Sequence, residues 1–218
     1  MKPIKCILIV LSLACISLHV EAKRTLNYRI IEPQIQSNSD LTYAVAVLDK
    51  REVVTTQAQD PSFVGYIRTA TMIAYPIRTE SGNTFSDDVS YTISNSIEKS
   101  GAKVSQVSAI YTMDSTEVID QLKTKNADVL VFVTLNQWRN DTKPLNFAKV
   151  ATEMLWNLKV QVFDNTGILI SENSIRGKKP GINPAGATST KKIQKIIDVY
   201  YKEKMEELFS GVDITKKE

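Results

Sequence analysis

The chain has 218 residues, 43% of them apolar, and its 27 basic and 24 acidic side chains leave a formal charge of +3. That length suits one domain with a proper core, and so even a charge balance gives no electrostatic case for nucleic acid binding. Both cysteines, Cys6 and Cys15, and the only histidine, His19, fall in the first 22 residues. The rest of the chain therefore excludes disulfides, zinc sites built on Cys or His, haem ligation by His, thiol nucleophiles and Ser-His or Cys-His catalytic pairs. No cofactor is expected.

Lys2 and Lys5 precede an apolar run from Cys6 to Leu18, and Val20-Glu21-Ala22 then offers small or modest side chains. This pattern predicts a secretory signal over residues 1–22, too short for a comfortable membrane span, with cleavage after Ala22. A second reading stays open. Ser12-Leu13-Ala14-Cys15 is similar to a lipoprotein signal in which Cys15 is lipidated, although Ser12 stands where a leucine is expected. The chain is thus expected to be exported, to the periplasm or as an outer-membrane lipoprotein. Without residues 1–22 it keeps 25 basic and 23 acidic side chains, a charge of +2.

Residues 23–40 read as an extended polar lead-in, with a short strand expected at Tyr28 to Ile31. Leu41 to Leu48 is a strand that ends in Asp49-Lys50-Arg51-Glu52. Val53 to Arg78 carries Pro61, Pro76 and Gly65 and reads as a long connection with short strands near Tyr66-Ile67 and Met72 to Ile77. A helix follows, capped by Ser86, with Phe85, Val89, Ile93 and Ile97 recurring every four residues and Gly101 as its stop. Val104 to Ile110 is a strand. Asp114 or Ser115 caps a short helix whose apolar face is Val118, Ile119 and Leu122, with Lys123 and Lys125 suiting the negative end of its dipole.

Ala127 to Leu135 contains the unbroken apolar run Val129 to Val133, the mark of a central strand covered on both faces. Trp138 to Pro144 reads as a polar excursion. From Met154 to Val162 apolar and polar residues alternate, which predicts a half-buried antiparallel strand. Asp164 to Gly167 makes a turn, Ile168 to Ile175 returns, and Gly177 to Thr190 is a loop. Lys191 to Phe209 is a long amphipathic helix stopped by Gly211. The fold class is α/β (α+β): a single domain over residues 41–211, a mixed sheet with a hairpin in its C-terminal half, about three helices mainly on one face, and a polar tail at 212–218.

Three groups are candidate sites. Asp49, Arg51 and Arg68 lie where the first strand ends and in the connection after it; ligands favour the carboxyl ends of strands in open α/β sheets, and an ion pair pinning the loop explains them as well. Lys178 and Lys179, with Lys191 and Lys192, flank the predicted loop and can meet an anionic head group or remain solvated. Gly181-Ile-Asn-Pro-Ala-Gly186 has the spacing of a phosphate-binding loop, but Ala187 replaces the required lysine. Asn140-Asp-Thr142 matches a glycosylation sequon. No metal site is expected.

The first strand with Asp49-Lys50-Arg51, the helix from Ser86 to Lys99, the strand Asp128 to Leu135 and the hairpin ending near Arg176 give the chain an architecture that resembles small α/β envelope proteins and lipoproteins of Gram-negative bacteria, whose domains resemble the N-terminal domain of the translocation protein TolB. The resemblance implies a non-enzymatic envelope component that binds an envelope protein or lipid partner, with peripheral membrane association. The alternative is a carboxylate-dependent hydrolase acting on an envelope polysaccharide, since Asp and Glu are the strong acid/base side chains left.

Overall fold

The computed structural model describes residues 24–146, 148–184 and 189–216. The expected signal, with Cys15 and the cleavage point after Ala22, lies outside the described residues. One mixed sheet holds eight strands: β1 Thr25–Leu26, β2 Thr42–Asp49, β3 Phe63–Arg68, β4 Ala74–Thr79, β5 Lys103–Val107, β6 Val129–Asn146, β7 Lys149–Asp164 and β8 Leu169–Pro184. The helices are α1 Glu52–Thr55, α2 Phe85–Glu98, α3 Ser115–Lys123 and α4 Thr190–Ser210. The domain is the mixed α/β single domain that the sequence predicts.

Strand β6 organises the sheet. Its first half pairs in parallel with β2, from Tyr43 against Val129 to Asp49 against Leu135. The register with β7 then shifts between Leu135 and Gln137, which marks a bulge. Beyond it β3 takes over from β2, parallel again, from Gly65 against Asn140 to Ile67 against Thr142. β7 runs antiparallel along the whole opposite edge of β6, and β8 runs along β7. Gly65 makes the takeover possible. Its φ is +156°, and a Cβ at this position would sit 2.0 Å from the Asn140 carbonyl oxygen, so only glycine lets the two backbones come this close.

The apolar run of β6 is buried on both faces, as its composition requires. Val129, Val131 and Val133 join the larger core under α2 and α4, while Leu130 and Phe132 join a smaller one under α3. The four-residue stripe Phe85, Val89, Ile93 and Ile97 of α2 is fully buried in the larger core. The cap of α2 is Thr84, not Ser86: its hydroxyl accepts from the Asp87 amide while the Asp87 carboxylate accepts from the Thr84 amide. Asp114 forms the same reciprocal box with Glu117 at α3.

Chain ends also feed the larger core. Leu26, Tyr28, Ile31 and Ile35 belong to it, as does Ile214, whose carbonyl accepts from the Tyr43 hydroxyl. At its centre Tyr28 meets Phe85, Trp138 and Tyr201 edge-on, with ring centroids 4.8, 6.4 and 5.2 Å away, and the Trp138 indole N–H donates to the Tyr28 hydroxyl at 3.0 Å. Such aromatic pairs add about 0.5–1.5 kcal/mol each beyond their burial.

Four local expectations are corrected. Tyr28 to Ile31 is a turn rather than a strand, closed by the Ile31 amide donating to the Tyr28 carbonyl. The two short strands expected within Val53 to Arg78 are there, but the first is longer and they pair as the antiparallel hairpin β3–β4, and the one-turn helix α1 precedes them. Trp138 to Pro144 is no excursion but the second half of β6, and Gly177 to Thr190 is mostly strand, since β8 runs to Pro184. Residues 185–188 of that expected loop, and with them Gly186 and Ala187, lie outside the described residues.

Candidate functional site

Asp49 and Arg51 meet where β2 leaves β6. The Arg51 Nη2 is 2.6 Å from an Asp49 carboxylate oxygen, and each residue is only 2% exposed. The other Arg51 donors go to Asp49 again and to the carbonyls of Pro61, Phe63 and Trp138. All five guanidinium N–H groups therefore have acceptors inside the protein. Beside this clasp opens a pocket of 250 Å³ whose polar wall is Asn136, Gln137, Arg139 and Asn157. Arg139 presents there a buried Nε that has no hydrogen-bond partner among the described residues.

Arg68, Lys178 and Lys179 lie elsewhere, Arg68 at the end of β3 and the two lysines on β8, beside the far half of β6. Arg68 makes a two-pronged ion pair with Asp141, at 3.0 Å from each oxygen. Those hydrogen bonds and the Asp141 charge raise the guanidinium above its already high pKa. Asp141 faces Glu153 across β6 and β7, and Glu153 lies 3.8 Å from Lys178. A row of alternate partners, Arg68, Asp141, Glu153 and Lys178, thus crosses four strands, and the two cations offset the like charges at its middle. Lys179 points the other way, toward α4, where it lies 3.9 Å from Glu203 and 4.7 Å from the ring of Tyr200.

This charged row borders a groove of 440 Å³ lined by Met72, Leu145, Ala151, Pro180 and Ile182. Three of these, Met72, Leu145 and Ile182, are half or more exposed. Asp141 and Glu153 both line this groove, but they stand side by side on adjacent strands, each against a cation, and not across a cleft from one another. Among the described residues no three His, Cys, Asp or Glu side chains gather where they could hold a metal ion. Asn140, the sequon asparagine, is fully buried in β6 with neither side-chain polar atom paired among the described residues. A glycan has no access to it in the folded chain.

The structure thus separates the residues that the sequence grouped: Asp49 and Arg51 go inside, Arg68 and Lys178 share an outer face, and Lys179 joins the helix side. The groove itself was missed, because its apolar members come from three segments that only the register of the sheet unites. A weak signal was present in Leu145 and Ile182, single aliphatic residues among polar, Gly and Pro neighbours.

No protein-family model matches the chain, and no curated protein matches it. Among solved structures it is similar to a DUF330-family protein from Xanthomonas campestris, with 10% identity, 85% of this chain and 88% of that chain covered, and a TM-score of 0.43. A neuraminyllactose-binding hemagglutinin homolog from Helicobacter pylori aligns at 15% identity over 83% of this chain and 89% of the other, with a TM-score of 0.43. Lipoprotein GNA1162 from Neisseria meningitidis aligns at 7% identity over 75% and 97%, with a TM-score of 0.27. None of these three is a TolB domain, and likenesses so distant carry no weight for function. Among the described residues no helix is long and apolar enough to cross a membrane.

Proposed function

We propose that this chain is an exported, non-enzymatic component of a cell envelope that binds a protein or lipid partner. The observation that carries this reading is the groove at the far end of the ribbon, where aliphatic side chains stand exposed beside a row of ion pairs. An exposed apolar groove of this kind is typical of an interaction surface. The signal-like segment at residues 1–22 supports export, and the absence of histidine and cysteine after residue 22 supports binding over acid–base or thiol chemistry.

Expression of the full chain with a C-terminal tag in a Gram-negative host, followed by fractionation and mass spectrometry of the N-terminus, tests the reading. Processing after Ala22 or at Cys15 and recovery with the periplasm or membranes are expected. An unprocessed chain in the cytosol would overturn it. The hydrolase alternative is tested with Asp141→Asn and Glu153→Gln, which should abolish any polysaccharide cleavage the parent chain shows.

A further inference from the structure

Four exposed aliphatic side chains share the end of the ribbon where β3 turns into β4 and β6 into β7. Met72, Ile73, Leu145 and Ile182 are between 50% and 69% exposed. Met72 also holds a φ of +62° in the β3–β4 turn, a conformation for which glycine or asparagine is the usual choice. Local stability is given up there for an exposed apolar side chain.

The same end is rich in cations. Lys143 and Lys149 flank the β6–β7 turn, and Lys191, Lys192 and Lys195 open α4, next to the end of β8. Among the described residues none of these five has an ion pair, and all are exposed. α4 has no side-chain hydrogen bond at its N-cap and no acid in its first turn. Two lysines therefore stand at the positive end of the helix dipole, an arrangement that an external anion relieves.

The chain enters the fold from this end too. β1 runs parallel to β4, with Thr25 against Arg78 and Leu26 against Thr79. The start of β1 therefore faces the Ala74 end of β4. Arg24 lies there too, 4.0 Å above the ring of Tyr75. Arg24, the first described residue, thus lies at the end where the aliphatic and basic side chains collect.

From these three features we infer that the ribbon end is a membrane-docking face: Met72, Ile73, Leu145 and Ile182 enter the head-group region of an anionic bilayer while the unpaired lysines meet its phosphates. Aliphatic tips with a basic surround are what an anionic lipid surface retains, whereas a protein partner would not require the chain entry and the lysines to coincide. The inference rests on the proposed envelope role and names the partner class and the face.

A chain starting at Lys23 keeps every described strand and helix and both cores, so it serves for the test. Sedimentation with phosphatidylglycerol vesicles and with phosphatidylcholine vesicles is measured for this chain, for Ile73→Asp/Leu145→Asp/Ile182→Asp, and for Ile168→Asp. The last is an equally exposed site at the opposite turn, between β7 and β8. The expected result is binding to phosphatidylglycerol alone, weakened at least 10-fold by the triple substitution and unchanged by Ile168→Asp. Equal binding by the parent and the triple variant, or none by the parent, overturns the inference. So does a concentration-dependent dimer that the triple variant dissolves, which would make the face a protein interface. A chain that is exported and fractionates with the envelope yet ignores vesicles leaves the proposed function standing and removes only the lipid face.

Discussion

Arg51 turns back onto Asp49, two residues before it, and the sealed pair also hydrogen-bonds the carbonyls of Pro61 and Phe63 and the carbonyl of Trp138. It therefore ties the end of β2 to the start of β3 and to β6, at the point where one strand replaces the other. The Arg51 guanidinium also lies 4.9 Å above the Phe85 ring, which joins the clasp to the aromatic cluster. Arg51→Ala is expected to cost about 3–5 kcal/mol, because it strands a buried carboxylate. Arg51→Lys should lose most of the same amount, since an ammonium cannot reach acceptors in so many directions. The pair replacement Asp49→Leu/Arg51→Met should recover much of the loss. Denaturant unfolding of the four chains measures it, and a cost below about 1 kcal/mol for Arg51→Ala would remove the clasp from the account.

Gly65→Ala should be among the costliest single-methyl additions in the chain, at about 3 kcal/mol, since the new Cβ collides with backbone that cannot move without parting β3 from β6. Gly82 offers the control. Its φ is +76°, but nothing lies within 4 Å of its would-be Cβ, so Gly82→Ala pays only for conformation, about 1 kcal/mol. A comparable loss at both sites, read by thermal or denaturant unfolding, would show that close approach to Asn140 is not what Gly65 supplies.

Asn140 invites a gain. Its amide is fully buried and neither polar atom finds a partner among the described residues, and an unpaired buried group costs about 1–3 kcal/mol. Asn140→Val, apolar and suited to a strand, is expected to raise stability by about 1 kcal/mol. A loss of stability in the same unfolding experiment would mean that the amide is bonded in solution.

Burial raises the pKa of the Tyr28 and Tyr201 hydroxyls well above the ordinary value of 10.0. Below pH 10 the folded and unfolded chains hold these protons alike and the full contribution to stability is present. Above it the unfolded chain releases them while the folded chain does not, so stability falls as pH rises. Tyrosinate absorbance from these two residues is expected to appear only together with unfolding. The variant Tyr28→Phe/Tyr201→Phe should show a shallower alkaline loss, and an unchanged slope would contradict the assignment.

Much of the scaffold is legible in the sequence because burial wrote it in periodicities. The two-sided run Val129 to Val133, the stripe of α2 and the alternation of β7 each follow from a face that must be dry. The errors came where a buried position is polar or an exposed one is apolar. In the second half of β6, Trp138, Asn140 and Thr142 point inward and Arg139, Asp141 and Lys143 outward. That is strict alternation, but two of the inward residues look hydrophilic. Prolines hid β8. It is an edge strand with a spare row of backbone groups, so it accepts Pro180 where a central strand would not. Thr84 was passed over as a cap because Ser86 is the same chemistry two residues later. At the outer face, Arg68 and Lys178 were visible as charges. Their partners Asp141 and Glu153 depend on register across four strands, which no local pattern encodes.

The handover on β6 divides labour along a single strand. Its first half is clamped between two hydrophobic cores. Its second half keeps Trp138, Asn140 and Thr142 buried, with Trp138 against Tyr201 of α4, and turns the ion-pair row and the aliphatic tips outward. Eighteen residues of strand reach roughly 60 Å when extended, at about 3.3 Å per residue. β6 with β7 thus keeps one face buried along most of its length and, past the bulge, leaves the other face free to vary. Substitutions on that outer face cost folding little, so its chemistry can drift through evolution while the buried face stays the same.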